Sequence, residues 1–512
     1  MNLFKKLAIG LLSTVIVVLL SLWLLTKAIS AESIRDYVSS QLSILSHEPT
    51  TIKGNISWQL FPQPGIRISK VEIGSDRQTD FHAILDNLIL NLRITPLLRG
   101  TLVFSEFKVD GFTADVSTDH LPAPAEHSKT KDSKPGTILT EHFAIDRFML
   151  SKGLVKFHSS DNELIFSNIQ MGTESLNLND SSFPLQFKAA LNLSNAGNLK
   201  GRAQIQFKGS TRFSPTFLSN PLANWQSLSL NGQLLLQDVL LNKISINRIQ
   251  GSASLKRKML KITPLTLSLY KGESVGDLNF NFENHQLKFN QTAAGLDSQK
   301  LFNDLLGEKI VRGKLDFSLH AEAITNVPSA LNLSMADGTI MIKDGRIDTV
   351  NLHQVIEQVS QKIDQLSSMK TDSLKNMLDF EQFNGLMNNK GFTPFKLLSM
   401  NYKLAESRLR TDSIILQTDK LHLKGNGNLS LTDYSLSAEL LTSVLNATGK
   451  LEEIQQMLGG NFPLQVKGTL VKPLISLDIK KVNAQLGKYW LINTVAQPVK
   501  KLKNQFESIF TR

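Results

Sequence analysis

Apolar and polar residues alternate in steps of two along most of this chain. In GNISWQLFPQPGIRISKVEIG, from Gly54 to Gly74, Ile56, Trp58 and Leu60 alternate with Asn55, Ser57 and Gln59. After a Pro-Gln-Pro-Gly turn, Ile66 and Ile68 alternate with Arg67 and Ser69. This is the period of a strand with one dry face and one wet face. LILNLRI repeats it with Leu88, Leu90, Leu92 and Ile94, and TLVFSEFKVDGF with Leu102 and Phe104 before a skip to Phe107 and Val109. That odd step predicts a bulge or bend, and the step from Ile68 to Val71 another; bulges add twist and curl a sheet.

The pattern breaks in a few places. LAIGLLSTVIVVLLSLWLLT, between Lys6 and Lys27, is uncharged and long enough to cross a bilayer as a helix, with Trp23 near its outer end. A cleaved signal peptide ending near Ala28-Ile29-Ser30 is the rival reading. The apolar run exceeds what a signal peptide needs, so residues 1–30 read as an uncleaved anchor. Lys5 and Lys6 before the span suggest that the bulk of the chain lies outside the cytoplasm, which in a bacterium with two membranes means the periplasm. Next, Ile34, Val38, Leu42 and Leu45 share one helical face, which suits packing against a sheet edge.

Residues 118–137, TDHLPAPAEHSKTKDSKPGT, are polar and proline-rich and read as a loop or linker. Strand patterns resume at Phe143 and run to about His320, broken by turn signals such as Asn231-Gly232. A pattern repeat joins MLKITPLTLSLYKGESVGDLNFNF and RLRTDSIILQTDKLHLKGNGNLSL, each read as two strands, a glycine turn and a third strand. Leu352, Val355, Ile356, Val359 and Ile363 mark a helical insertion over 350–388, and KLEEIQQMLGG a shorter helix with Gly459 as C-cap. In the tail, Val499, Leu502, Phe506 and Ile509 align on one helical face beside Lys500, Lys501 and Lys503. Such a basic amphipathic helix either touches an anionic membrane or a partner, or caps the open end of the sheet.

The predicted fold is mainly β: an N-terminal transmembrane helix, then an elongated, curled, antiparallel β-meander forming a groove, with a few interrupting helices. Its parts are an anchor over 1–30, a β region over 31–117, the linker over 118–137, a middle meander over 138–325, a second β region over 326–480 and the basic helix over 481–512.

Composition narrows the partners. The 512 residues include no cysteine, which excludes disulfides, thiolate metal sites and thiol nucleophiles. A net charge of +11 favours anionic partners, nucleic acid or phospholipid. The basic residues are scattered singly and no aromatic-basic signature accompanies them, so nucleic acid is the weaker reading.

No catalytic constellation survives inspection. Gly272-Glu273-Ser274-Val275-Gly276 matches the nucleophile-elbow letters, but that device needs a helix to follow, and DLNFNF alternates as a strand. GEKIVRGK at 307–314 has one residue too many for a phosphate loop, and Leu315 replaces its hydroxyl. Gly425-Asn426-Gly427 lacks a third glycine, and the ten histidines form no zinc pattern. The reading is a non-enzyme with no cofactor and no metal.

What covers so much one-sided sheet decides the function. A second sheet, helices, or lipid acyl chains in a curled trough are the choices, and the helices are too few. Trp58, Leu60, Ile66, Ile68, Leu90, Leu92, Leu102 and Phe104 are the candidate groove-wall positions, with sandwich core as the alternative for each.

The N-terminal span, IKGNISWQLFPQPGIRISKVEIG and LRITPLLRGTLVFSEFKVDGF resemble the start of the AsmA family. The resemblance resumes in LNLSMADGTIMIKDGRIDTVNL and TPFKLLSMNYKLAESRLRTDSIILQTDKLHLKGNGNLSL and closes in FPLQVKGTLVKP. It implies an inner-membrane protein with a periplasmic β-groove, related to bridge-like lipid transfer proteins and moving phospholipid toward the outer membrane. The expected partners are phospholipids, the inner membrane, and the outer membrane or an envelope protein. A non-transporting scaffold that assists outer-membrane protein assembly by β-augmentation is the alternative. An enzyme acting on envelope lipid ranks third.

Overall fold

The computed structural model describes residues 31–46, 48–59, 63–74, 81–93, 95, 104–117, 144–159, 162–177, 180–196, 199–213, 227–324, 333–367 and 391–489. They form 22 strands of one sheet and few helices, so the mainly-β expectation holds. Among the described residues no helix is long and apolar enough to cross a membrane. The expected anchor at 1–30, the linker at 118–137, and Val499 to Ile509 of the expected tail helix lie outside them.

The chain groups into two compact units. In the first, β1 (Thr50–Ile52) and β2 (Ile56–Gln59) both pair with β3 (Gly65–Ile73), which pairs with β4 (Phe81–Leu92), and β4 with β5 (Phe104–Ser117). The next rungs are β6 (Ala144–His158), β7 (Glu163–Asn177), β8 (Phe183–Ala196), β9 (Leu199–Arg212), β10 (Ser229–Leu241) and β11 (Ile244–Lys256). Each pairs with its chain neighbour. One pairing departs from the antiparallel expectation: β5 and β6 run parallel. A parallel pair needs a long crossover to return the chain to the same end. The stretch 118–143 between them supplies that length.

The two odd steps have different causes. At Phe104 the β4–β5 register shifts between Asn91 and Leu92, which is the predicted bulge. From Ile68 to Val71 the ladder keeps register, Ser69 opposite Asn87 and Val71 opposite Leu85. There Lys70, at φ 50°, reverses the in-out parity of β3 on its own. The reversal continues across the sheet, with Lys70 opposite Asp86, Asp86 opposite Gly111, and Gly111 opposite Lys152 (φ 55°). Gly111 takes φ 86°, and a Cβ there would stand 2.2 Å from Asp86 Oδ2, so glycine is the residue that fits. The result is a transverse crease, not a bulge.

Helix α1 (Ala31–Ser46) forms where the 3.6-residue spacing places it, and Val38 and Leu42 pack on the first-unit core. Its Arg35 donates to the carbonyl oxygens of Ile52 and, at 3.3 Å, Gly54. Ile52, Ile66, Ile68, Val71, Leu85, Leu88, Leu90 and Val109 make that core.

The second unit is built on β15 (Val311–Ile324), β16 (Leu333–Ile347), β17 (Thr393–Ala405), β18 (Arg408–Gln417), β19 (Leu421–Ser430), β20 (Leu436–Val444), β21 (Phe462–Gly468) and β22 (Pro473–Leu477). All are antiparallel chain neighbours. Its helices are α2 (Ser298–Leu306), α3 (Leu352–Ser367), α4 (Lys450–Met457) and α5, over 479–489. The helical insertion expected over 350–388 is seen as α3, with Val355 and Val359 fully buried, and residues 368–388 of it lie outside the described ones. Gly459 and Gly460, at φ 73° and 89°, end α4 by donating to Gln456 O and Gln455 O.

Three glycine signals read as turns are strand interior instead. Asn231-Gly232 lies within β10, Gly425-Asn426-Gly427 within β19, and the GESVG run within β13 (Gly272–Asn281). Each repeat segment is therefore a hairpin of two long strands and has no third. Close backbone approach explains the glycines: a Cβ on Gly232 would stand 2.5 Å from Gly209 Cα, and one on Gly425 2.1 Å from Glu439 O.

Candidate functional site

Inward-facing residues of both units are apolar, yet they differ in what covers them. In the first-unit core, Ile68 and Val71 are 0% exposed and Leu88 is 1% exposed. Further along the same unit, Met171, Leu185, Phe187, Ile205, Phe207 and Leu234 of β7 to β10 stay half-buried in a lining that is apolar but for Thr211. Met171 pairs with Phe187, Phe187 with Phe207, and Phe207 with Leu234, giving one apolar row across four strands. Leu185 leads a second row through Gly209, Gly232 and Ala253, where the missing side chains deepen the floor. Together with Phe213, Leu230 and Phe282 they line a trough of about 410 Å³.

The second unit holds a second trough of about 450 Å³. Its rows follow the ladder: Ile342, Leu398, Leu416 and Leu423 in one, and Ile340, Met400 and Ile414 in the next. Ala438, Val466 and Ile475 extend the lining across β20, β21 and β22.

The two lips of this trough are built differently. At one lip the strands lead into or out of α2, α3, α4 and α5. Phe302, Leu305 and Leu306 of α2 border the cavity. Buried Ser298 fixes that helix, donating to Val311 O at 3.2 Å and Gly313 O at 3.0 Å. Thr393, 0% exposed, fixes α3, accepting from Leu352 N at 2.9 Å and donating to Val350 O at 2.6 Å. The other lip is made of hairpin turns. Glu406-Ser407, at φ 50° and 57°, has the two positive φ values of a type I′ turn. Leu431 N donates to Ser407 O at 2.8 Å and Leu470 N to Tyr434 O at 3.1 Å, tying three turns together.

The eight sequence candidates fall elsewhere. Ile66, Ile68 and Leu90 belong to the core packed with α1, and Trp58 lies half-buried against it. Leu92 is 2% exposed. Phe104 is placed by its backbone pairing with Leu92, while Leu60 and Leu102 lie outside the described residues. None of the five whose side chains are described borders either trough. The troughs' own residues carry the same alternation, in FPLQFKAALNL and RAQIQFKG for example. Alternation marks an apolar face without saying what lies on it.

Ser274 sits inside β13, 2% exposed, with its hydroxyl donated to Gln291 Oε1. The strand continues through it, so the raised turn that a nucleophile elbow needs is not built here. Among the described residues no group of three or more His, Asp or Glu could hold a metal ion.

The AsmA family model matches residues 3–233, the N-terminal part of the chain. The match runs through β9 into β10. No curated protein and no solved structure matches the chain.

Proposed function

We propose that this chain handles lipid, taking phospholipid acyl chains into its two apolar troughs while the head groups stay in water. The observation that carries the reading is the half-exposed row Met171, Phe187, Phe207 and Leu234. A row left open to water forgoes about 25 cal/mol for each Å² of apolar area not covered. An acyl chain supplies the cover at about 0.8 kcal/mol per buried methylene. Cavities of about 410 and 450 Å³ fall in the range of roughly 300–1,000 Å³ usual for small-molecule sites. Binding of this kind asks for no reacting group.

The same reading places the chain in the inner membrane by its N-terminal span, with the bulk in the periplasm and phospholipid passing toward the outer membrane. The uncharged run between Lys6 and Lys27 and the family match over 3–233 support it. The test is mass spectrometry of lipids extracted from the gently purified full chain, counted per chain. Two or more phospholipids per chain is the expected result. A lipid content no higher than that of a control periplasmic protein would sink the reading and favour the assembly scaffold.

A further inference from the structure

The hairpin lip of the second trough combines three features, the first of which, an exposed apolar border, it shares with Leu305 of the helix lip at 47% exposed. Leu431 and Tyr434 border the trough and are also 41% and 38% exposed, so the apolar lining runs out onto the surface there. The turns carrying them are hydrogen-bonded to the Glu406-Ser407 turn and to Leu470, which makes one platform of three hairpins. Five exposed cations surround it, Lys403, Arg408, Arg410, Lys467 and Lys472. None of the five has an ion-pair partner among the described residues, and Lys403 stands directly opposite Arg410. The acids of the same lip include Glu322, paired with Lys288, Asp337, directly opposite Lys403 on β16, Glu406 and Asp433. Asp433 is turned into its own turn, accepting from Ser435 N at 3.1 Å.

Like charges placed side by side repel, and a platform of unpaired cations around exposed apolar tips is costly in water alone. An anionic bilayer relieves both: phosphates meet the cations, tyrosine suits the head-group layer, and leucine the acyl boundary beneath it. We propose that this lip docks the second unit on an anionic phospholipid bilayer, so that acyl chains pass between membrane and trough past Leu431 and Tyr434. The inference rests on the lipid-handling reading and adds the surface at which exchange takes place.

The chain has no cysteine, so a single Cys introduced at Leu431 or Tyr434 carries an environment-sensitive nitrobenzoxadiazole label at that position alone. The full chain, held in nanodiscs of neutral phosphatidylcholine, is titrated with vesicles containing phosphatidylglycerol and with vesicles of phosphatidylcholine. Val275, 50% exposed on β13 of the same unit, is the control position. The expected result is a blue shift at 431 and 434 with the anionic vesicles and none at 275. Replacing Arg408, Arg410 and Lys472 by Gln weakens vesicle affinity about a hundredfold, about fivefold for each cation removed. These are exposed positions, and circular dichroism checks that the variants fold.

No shift at 431 and 434 in a chain that still yields bound phospholipid overturns the docking lip and leaves the trough reading standing. Equal shifts at all three positions, or with both vesicle types, also overturn it, since adsorption is then neither local nor charge-selected. A chain that docks as expected but yields no phospholipid keeps the lip and removes the trough reading.

Discussion

Phe207 on β9 stands directly across the ladder from Leu234 on β10, and both remain half-exposed although both face the apolar side of the sheet. In an ordinary sandwich this pair would lie under a second layer. Here the row through Met171, Phe187, Phe207 and Leu234 is lined on both sides by more apolar residues of the same trough. On the lipid-handling proposal, a charge placed on it faces an acyl chain and not a packed interior.

Phe207→Asp is therefore expected to remove most phospholipid from the first trough while the fold persists. A carboxylate on a half-exposed strand position keeps access to water, so the stability change stays near the ~1 kcal/mol typical of single substitutions. Lipid counted per chain and a urea denaturation curve measure the two effects separately. Unchanged lipid content would mean that acyl chains take a different path.

The opposite outcome is expected at the first-unit core. Ile68 is 0% exposed, so Ile68→Ala should cost about 2–5 kcal/mol of stability, read as a lowered denaturation midpoint. Leu90→Asp, 5% exposed in the same cluster, buries a charge with no partner and should unfold the first unit outright. Circular dichroism of Leu90→Asp matching that of the unchanged chain would show that this face is open.

This contrast marks the limit of what the sequence discloses. Strand period, the α1 helix, α3, the cap after α4 and the bulge at Phe104 follow from local rules, because each depends on residues close in the chain. Covering does not. Leu90 and Phe207 carry the same alternation signal, but α1 packs on the core that holds Leu90, while among the described residues no helix lines the trough that holds Phe207. The crease from Lys70 to Lys152 was legible only as an odd step, because one residue at positive φ and one inserted residue leave the same trace in the sequence. Glycines misread as turns failed for a related reason. Gly232 is set by the strand beside it, where a Cβ would stand 2.5 Å from Gly209 Cα, and not by its own neighbours in sequence.

Thr393 tests how firmly the helix lip is held. Thr393→Val leaves Leu352 N and Val350 O without their buried partner, at a cost of about 1–3 kcal/mol, while Thr393→Ser keeps both hydrogen bonds. Hydrogen exchange over 352–367 should quicken in the valine variant and stay close to normal in the serine variant. Equal protection in both would mean that the burial of Val355 and Val359 holds α3 without this residue.

Tyr402 gives the second unit a dependence on alkaline pH. Its ring passes over Gly338, directly opposite on β16, and its hydroxyl donates to Ser318 O of β15 at 2.9 Å. A Cβ on Gly338 would stand 2.8 Å from that hydroxyl, so glycine makes room for the reach. Burial, with Asp337 adding to it, pushes the phenol up to about 12. Below the unfolded value of about 10 both states are protonated, and the stability is fully present. Above it the unfolded chain releases the proton first, so stability falls as pH rises from about 10 to about 12. Tyr402→Phe removes this component and the hydrogen bond together. The variant should be less stable at pH 8 by about 1 kcal/mol, and its deficit should shrink toward pH 12. Urea midpoints of the two proteins across that range measure the difference, which cancels the titration of lysines and the other tyrosines. A deficit that stays constant with pH would mean that the Tyr402 phenol is open to water.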